Sequence, residues 1–183
     1  MNTKTYYKVL AEDGSAHHGG SGKWPLPKNE QPGEWLNIKG EIIPCLNGLH
    51  VCEKLDLVHW LGPAIFVCEI DGEIVRDANK SVVAKARLVS RIDTWNERTA
   101  RLFAADCAEK AIRDWEKASG LKCDPRSREA IRAAREFANG NMTEAARSAA
   151  WSAADSAARS AARSDACKWQ KKRLFEYLDG KRG

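Results

Sequence analysis

The sequence predicts an α+β fold, with a small, mostly antiparallel sheet in the N-terminal half packed against a helical C-terminal half that ends in a long alanine-rich helix. Three observations predict it. Up to Ile92 the chain consists of short β-prone runs broken by glycine, proline and asparagine. After Ile92 the apolar spacing changes to that of an amphipathic helix. From Arg147 onward a Ser-Ala-Ala tetrad repeats. The boundaries that follow are 1–92 for the sheet-and-loop part, 93–120 for a helix packing on the sheet, and 121–183 for a helical hairpin and alanine-rich region.

Tyr6-Tyr-Lys-Val-Leu10 reads as a first strand closed by a turn at Asp13-Gly14. The segment from His17 to Trp35 is too rich in glycine and proline for a regular element, and Trp24 and Trp35 suggest a loop packed by its own side chains. Asn47-Gly48 predicts a turn into a strand at Leu49-His50-Val51. Glu53 to Leu61 fits a short helix with Leu55, Val58 and Leu61 on one face, stopped by Gly62-Pro63. Ala64–Ile70 and Glu73–Arg76 flank Asp71-Gly72, a dipeptide that tolerates the positive φ of a type I′ turn, so a hairpin is expected there. Ser81 to Ile92 supplies a further strand.

Thr94-Trp-Asn-Glu97 has the form of a capping box opening a helix that Gly120 stops. Phe103, Ala104, Cys107, Ala108, Ala111, Ile112 and Trp115 fall on a wide apolar arc; Arg98, Asp106, Glu109, Lys110, Arg113 and Lys117 fall on the other. Asp124-Pro125 starts a second helix and Asn139-Gly140 ends it, and a third runs from Thr143 to Leu178. Four residues overshoot a 3.6-residue turn, so the alanine stripe of the tetrads drifts around that helix. Small side chains favour close helix contact, within the chain or in a homo-oligomer formed through the stripe.

Composition bounds the function. Charged residues are 30% of the 183 residues and hydrophobic ones 43%, an ordinary globular balance. No apolar run approaches the ~20 residues that cross a bilayer, and the N-terminus lacks the pattern of a signal peptide, so a cytoplasmic protein with no membrane partner is expected. Cys68 and Cys107 read as small core residues. The net charge of +5 arises beyond residue 120, where 14 Lys and Arg face 8 Asp and Glu. Lys168, Trp169, Lys171, Lys172 and Arg173 are the densest basic cluster. It could grip phosphates and stack on a base, or serve only as the solvated, dipole-complementing end of a helix, and the second reading is preferred.

Cys45-Leu-Asn-Gly-Leu-His-Val-Cys52 gathers two cysteines and a histidine. The six-residue separation and the lack of a second knuckle argue against zinc, so neither a metal nor a cofactor is expected. His50 and Cys52 point the same way from an extended strand, but nothing marks an orienting acid. His17-His18 could bind a phosphate or titrate near neutral pH, although an exposed polar turn is the plainer reading. Glu69 and Glu73 flank the Asp-Gly pair and could act as acid and base only with perturbed pKa values. The ligand-binding candidates are therefore His50, Tyr7, Trp24, Trp35, Glu69 and Glu73, with the cleft expected between the Trp24/Trp35 loop and the sheet.

The stretch PCLNGLHVCEKLDLVHWLGPAIFVCEIDGEIV, followed by a lysine and VAKARLVSRIDTW, resembles an uncharacterised domain found in phages and in actinobacterial-type genomes. That domain shows a Cys-x-x-Gly-[Leu/Phe/Val]-His-x-Cys core, a Glu-x-x-Gly-Glu hairpin and a Lys…Ala-Arg-Leu-Val strand. The likeness covers about residues 6–115, and the Ala-Ser tetrads are similar to tails that follow the domain in some relatives. It carries no activity with it. It implies a small accessory protein inside a bacterial host. Together with the lack of a convincing catalytic constellation in the sequence, that makes a non-enzymatic module the expectation, one that engages a host protein or a small nucleotide-like ligand, for instance to inhibit a defence system. The alternatives are a nucleotide-processing enzyme resembling ADP-ribosyltransferases, using Tyr7, His50 and Glu69 or Glu73, and nucleic-acid binding through residues 121–183, which is not favoured.

Overall fold

The computed structural model describes residues 4–20, 22–140 and 165–183, with backbone alone over 165–167. The four tetrads and the start of the third helix lie outside the described residues. The chain divides into two compact units, Met1–Asp93 and Thr94–Gly183, the first built of strands and the second of helices, so the fold is α+β.

The first unit has five strands: β1 (Tyr6–Leu10), β2 (Leu36–Asn37), β3 (Leu49–Glu53), β4 (Ala64–Asp77) and β5 (Lys80–Arg91). Every pairing is antiparallel. The order is β2-β5-β3-β1-β4, and β4 pairs back onto β5, so β1, β3, β5 and β4 close into a small barrel. Closure removes most of the free edges that an open sheet would expose. Tyr6 and Leu10, Leu49 and Val51, Phe66 and Cys68, and Val83, Ala86 and Leu88 fill the core from the four strands, together with Trp24 from the long loop. Burying each large apolar side chain stabilises the fold by about 1.5–3 kcal/mol.

Two local expectations fail here for identifiable reasons. β4 does not reverse at Asp71-Gly72. Asp71 pairs with Lys85 and Ile74 with Val83, so Gly72 and Glu73 together oppose Ala84 as a bulge. Gly72, at φ 86°, uses its freedom to absorb the extra residue rather than to turn the chain. The reversal comes at Ala78-Asn79, between the paired Asp77 and Lys80. The short helix is a 3₁₀ segment, Lys54–His59. Its three-residue turn rotates the faces, burying Leu57 completely and leaving Leu55 57% exposed.

The second unit contains α1 (Glu97–Ser119), α2 (Pro125–Ala138) and α3 (Asp165–Leu178). The capping box sits two residues later than Thr94: the Asn96 side chain accepts from the Thr99 N–H, and the Thr99 hydroxyl accepts from the Asn96 N–H. Thr94 instead donates its hydroxyl to the Leu178 carbonyl at 2.7 Å, tying the start of α1 to the end of α3. Gly120 ends α1 at φ 70°. Asp124 caps α2, with Pro125 in its first turn. Ala105, Ala108, Ile131 and Ala134 form a small-residue seam between α1 and α2, while Trp95, Phe103 and Tyr177 stack edge to face. Trp115 is 48% exposed rather than covered. Asp106, assigned by spacing to the solvent arc, is buried, because Arg135, Arg173, Arg182 and the Tyr177 hydroxyl converge on its carboxylate.

Candidate ligand-binding site

The site arises where two strands of the barrel part. β1 and β3 pair only at Tyr6↔Glu53 and Tyr7↔Cys52. Beyond that, β3 follows β5 through His50↔Val82 and β1 follows β4 through Lys8↔Phe66 and Val9↔Ile65. A cavity of about 290 Å³ lies there, lined by Tyr7, Lys8 and Val9 of β1, His50, Val51 and Cys52 of β3, the loop Ala16–Gly20, Cys45, Trp60 and Lys80.

Lys8 shares its strand face with the core residues Tyr6 and Leu10. Its ammonium donates to the His50 carbonyl at 2.8 Å and lies 5.0 Å from the centre of the Trp24 ring. Burial lowers its pKa, and the neighbouring Cys68 and Cys52 thiols oppose that only in part. His50 Nε2 accepts the Cys45 N–H at 3.2 Å, which places the proton of the neutral ring on Nδ1. Burial lowers the His50 pKa, with Lys80 and Lys8 adding to the effect and Asp77 opposing it.

Lys80 enters from the start of β5. Its ammonium lies 3.0 Å from Cys45 Sγ, 3.4 Å from Asp77 and 5.7 Å from the Trp60 ring centre, and the Cys45 contact leads in raising its pKa. Cys45 holds a left-handed φ of 66°, unusual for a residue with a Cβ. Trp60 follows the 3₁₀ segment and is pinned by its indole N–H to the Asn79 carbonyl at 2.9 Å. His18 closes on it, Nε2 lying 2.7 Å from the Trp60 carbonyl with the rings 5.6 Å apart, and His17 packs edge to face on His18. Gly62 makes room for this wall, since a Cβ there would meet the His17 ring at 2.6 Å and Val9 at 2.8 Å. Burial, then His18, lowers the His17 pKa.

Of the residues singled out by sequence, Tyr7 and His50 meet in this cavity, and Trp24, Trp35, Glu69 and Glu73 are not in its lining. Trp24 is core, beneath the Lys8 ammonium. Trp35 lies against Lys85 and Arg87, at 4.6 and 4.7 Å. Glu69 accepts from Arg87 at 2.8 Å, and Glu73 is exposed in the β4 bulge. The cleft thus uses the Ala16–Gly20 end of the long loop, not its tryptophans. Cys52, whose thiol donates to the Tyr7 carbonyl at 3.7 Å, is pushed up to about 12 by burial, which disfavours the thiolate form.

Sequence reasoning missed Lys8, Lys80 and Trp60 and set His17 and His18 aside. One signal was present: Lys8 interrupts the inward face of an otherwise apolar strand. The basic cluster in the second unit is partly spent on internal contacts. Arg173 pairs with Asp106 and Glu176, and the Trp169 ring lies 4.9 Å from Arg173 and 5.9 Å from Lys110. Among the described residues no group of three or more His, Cys, Asp and Glu is placed to hold a metal ion, and no helix is long and apolar enough to cross a membrane.

Chemically, the cavity presents two lysines, three histidines and two aromatic rings, with no carboxylate in its lining. Such a lining favours an anion and offers flat faces to a planar group. A family model described as a domain of unknown function, DUF7666, matches residues 4–99, just over half of the chain and nearly all of the first unit. Neither the curated proteins nor the solved structures yield a match.

Proposed function

We propose, for a chain that belongs to the DUF7666 family of domains of unknown function, that the barrel is a non-enzymatic binding module for a small anionic, nucleotide-like ligand. The observation that carries this reading is the carboxylate-free cavity bearing Lys8, Lys80, His17, His18 and His50. Buried or half-buried cations are ordinarily matched by nearby carboxylates; Lys80 has Asp77 at 3.4 Å, whereas beside Lys8 the matching charge falls to the ligand. Lys80 and the histidines grip phosphate or carboxylate oxygens, and Trp60 and Tyr7 lie at hand for a ring. The phage-like pattern around Cys45–Cys52 supports a setting inside a bacterial host, where such a module would serve as an accessory protein, including one that sequesters a defence signal.

Isothermal titration calorimetry with adenosine diphosphate, adenosine monophosphate and inorganic pyrophosphate tests the reading. Saturable binding that weakens with salt and in Lys80→Met is expected. Absence of heat with all three would overturn it.

A further inference from the structure

Lys8 does not fit the role of an ordinary phosphate-gripping lysine. It stands on the inward face of β1, in register with Phe66, between two core residues. Lysine is rarely placed so unless it is paired with an acid. Yet among the described residues no carboxylate is in ion-pairing reach of its Nζ. The contacts it has are the His50 carbonyl at 2.8 Å and the Trp24 ring at 5.0 Å. Lys80, in the same cavity, differs: Asp77 lies 3.4 Å from its Nζ.

A lysine held inside without a counter-charge carries a larger share of free amine near neutral pH, and burial is the leading cause of the lowered pKa here. The free amine is the form that attacks carbonyl carbon, and burial is a standard way of activating it. The cavity gives that amine a reaction space of about 290 Å³, with the Lys80 ammonium and the rings of His17, His18 and His50 around it.

We propose, building on the anion-binding reading, that the pocket holds its ligand covalently, as an imine between Lys8 Nζ and the aldehyde carbon of an anionic compound such as a phosphorylated sugar, or a nucleotide that bears a further sugar, with a free reducing end. The Nζ lone pair attacks the carbonyl carbon. The C–N bond forms, the C=O π pair moves to oxygen, and oxygen takes a proton from nitrogen to give the carbinolamine. The hydroxyl then leaves with the second nitrogen proton as water, and C=N remains. Nothing is oxidised or reduced and no co-reactant is consumed. His17 and His18, on the wall of the same cavity, carry the protons between nitrogen and oxygen. The His50 carbonyl orients the amine by accepting one of its N–H groups.

The full chain is incubated with pyridoxal 5′-phosphate, an aldehyde that carries a phosphate and a flat ring, and reduced with borohydride. Intact mass and peptide mapping then locate the adduct. One adduct per chain on the Lys8 peptide is expected, suppressed by excess inorganic pyrophosphate and lost in Lys8→Met. Should that variant fail to fold, the site map on the unsubstituted chain still decides. Adducts spread over surface lysines with Lys8 unmodified would overturn the proposal. If pyrophosphate still binds by calorimetry in that case, the imine alone fails and the anion pocket stands; if it does not bind, both fail.

Discussion

Removing the Asp106 carboxylate should unlock the helical unit, and its surroundings set the size of the effect. Asp106 is 8% exposed, and four groups reach it: Arg135 at 2.8 Å, the Tyr177 hydroxyl at 3.1 Å, Arg182 at 3.4 Å and Arg173 at 3.5 Å. These come from α2, α3 and the C-terminal residues, so one side chain ties α1 to all three. Taking one partner out of a buried ion pair costs about 3–5 kcal/mol, because the remaining charge is left uncompensated. Arg135 keeps Glu109, and Arg173 and Arg182 keep Glu176, which places Asp106→Asn near the lower end, at about 3 kcal/mol. For a unit of this size that lowers the midpoint of helix melting by roughly 12–24 °C. Tyr177→Phe deletes one hydrogen bond and leaves the arginines paired, so about 1 kcal/mol is expected. Thermal melts followed by far-ultraviolet circular dichroism read both. The reasoning is refuted if Asp106→Asn melts within the change caused by Tyr177→Phe.

Gly48 holds φ 145°, and a Cβ there would come within 2.3 Å of Val82 and 3.3 Å of Ile42, so Gly48→Ala should destabilise the barrel by about 1–3 kcal/mol in urea melts. His17 and His50 resist protonation in the folded state more than in the unfolded chain. Protons therefore favour unfolding: the barrel should lose stability as pH falls from about 6.5 through the lowered folded values and show no such loss above that. His17→Asn and His50→Asn should each flatten the slope of urea midpoint against pH. Of the five cysteines whose side chains are described, Cys45 and Cys123 should react with a thiol reagent in the native protein. Cys52, Cys68 and Cys107, all buried, should react only on unfolding, as mass mapping of the labelled peptides would show.

The class of fold was legible because period-2 and period-3.6 patterns are properties of local sequence. β1 begins and ends at Tyr6 and Leu10 as the sequence implies, and α1 stops where Gly120 supplies a left-handed cap. Barrel closure was not legible, since it rests on β1 pairing with both β3 and β4 and on β3 pairing with β5 across long stretches of chain, and the bulge at Gly72-Glu73 looks, in sequence, like a hairpin turn. Asp106 was misplaced because helical spacing reports only which side of a helix a residue lies on, not whether three arginines from elsewhere will cover it. The site was half legible. His50 and Tyr7 sit on neighbouring strands and could be singled out there, whereas Lys80 at the start of β5 and Trp60 just after the 3₁₀ segment are brought to the same cavity only in the folded chain.

The four histidines provide a direct test of the anion pocket, because His17, His18 and His50 line it and His59 is exposed outside its lining. Proton NMR of the imidazole Cε1–H signals, assigned by single substitutions, is followed as inorganic pyrophosphate and then adenosine diphosphate are added. Movement of the three pocket signals along one saturation curve with His59 unmoved is the expected result. Static spectra, or His59 shifting as far as the other three, would contradict an anion-binding site in the barrel.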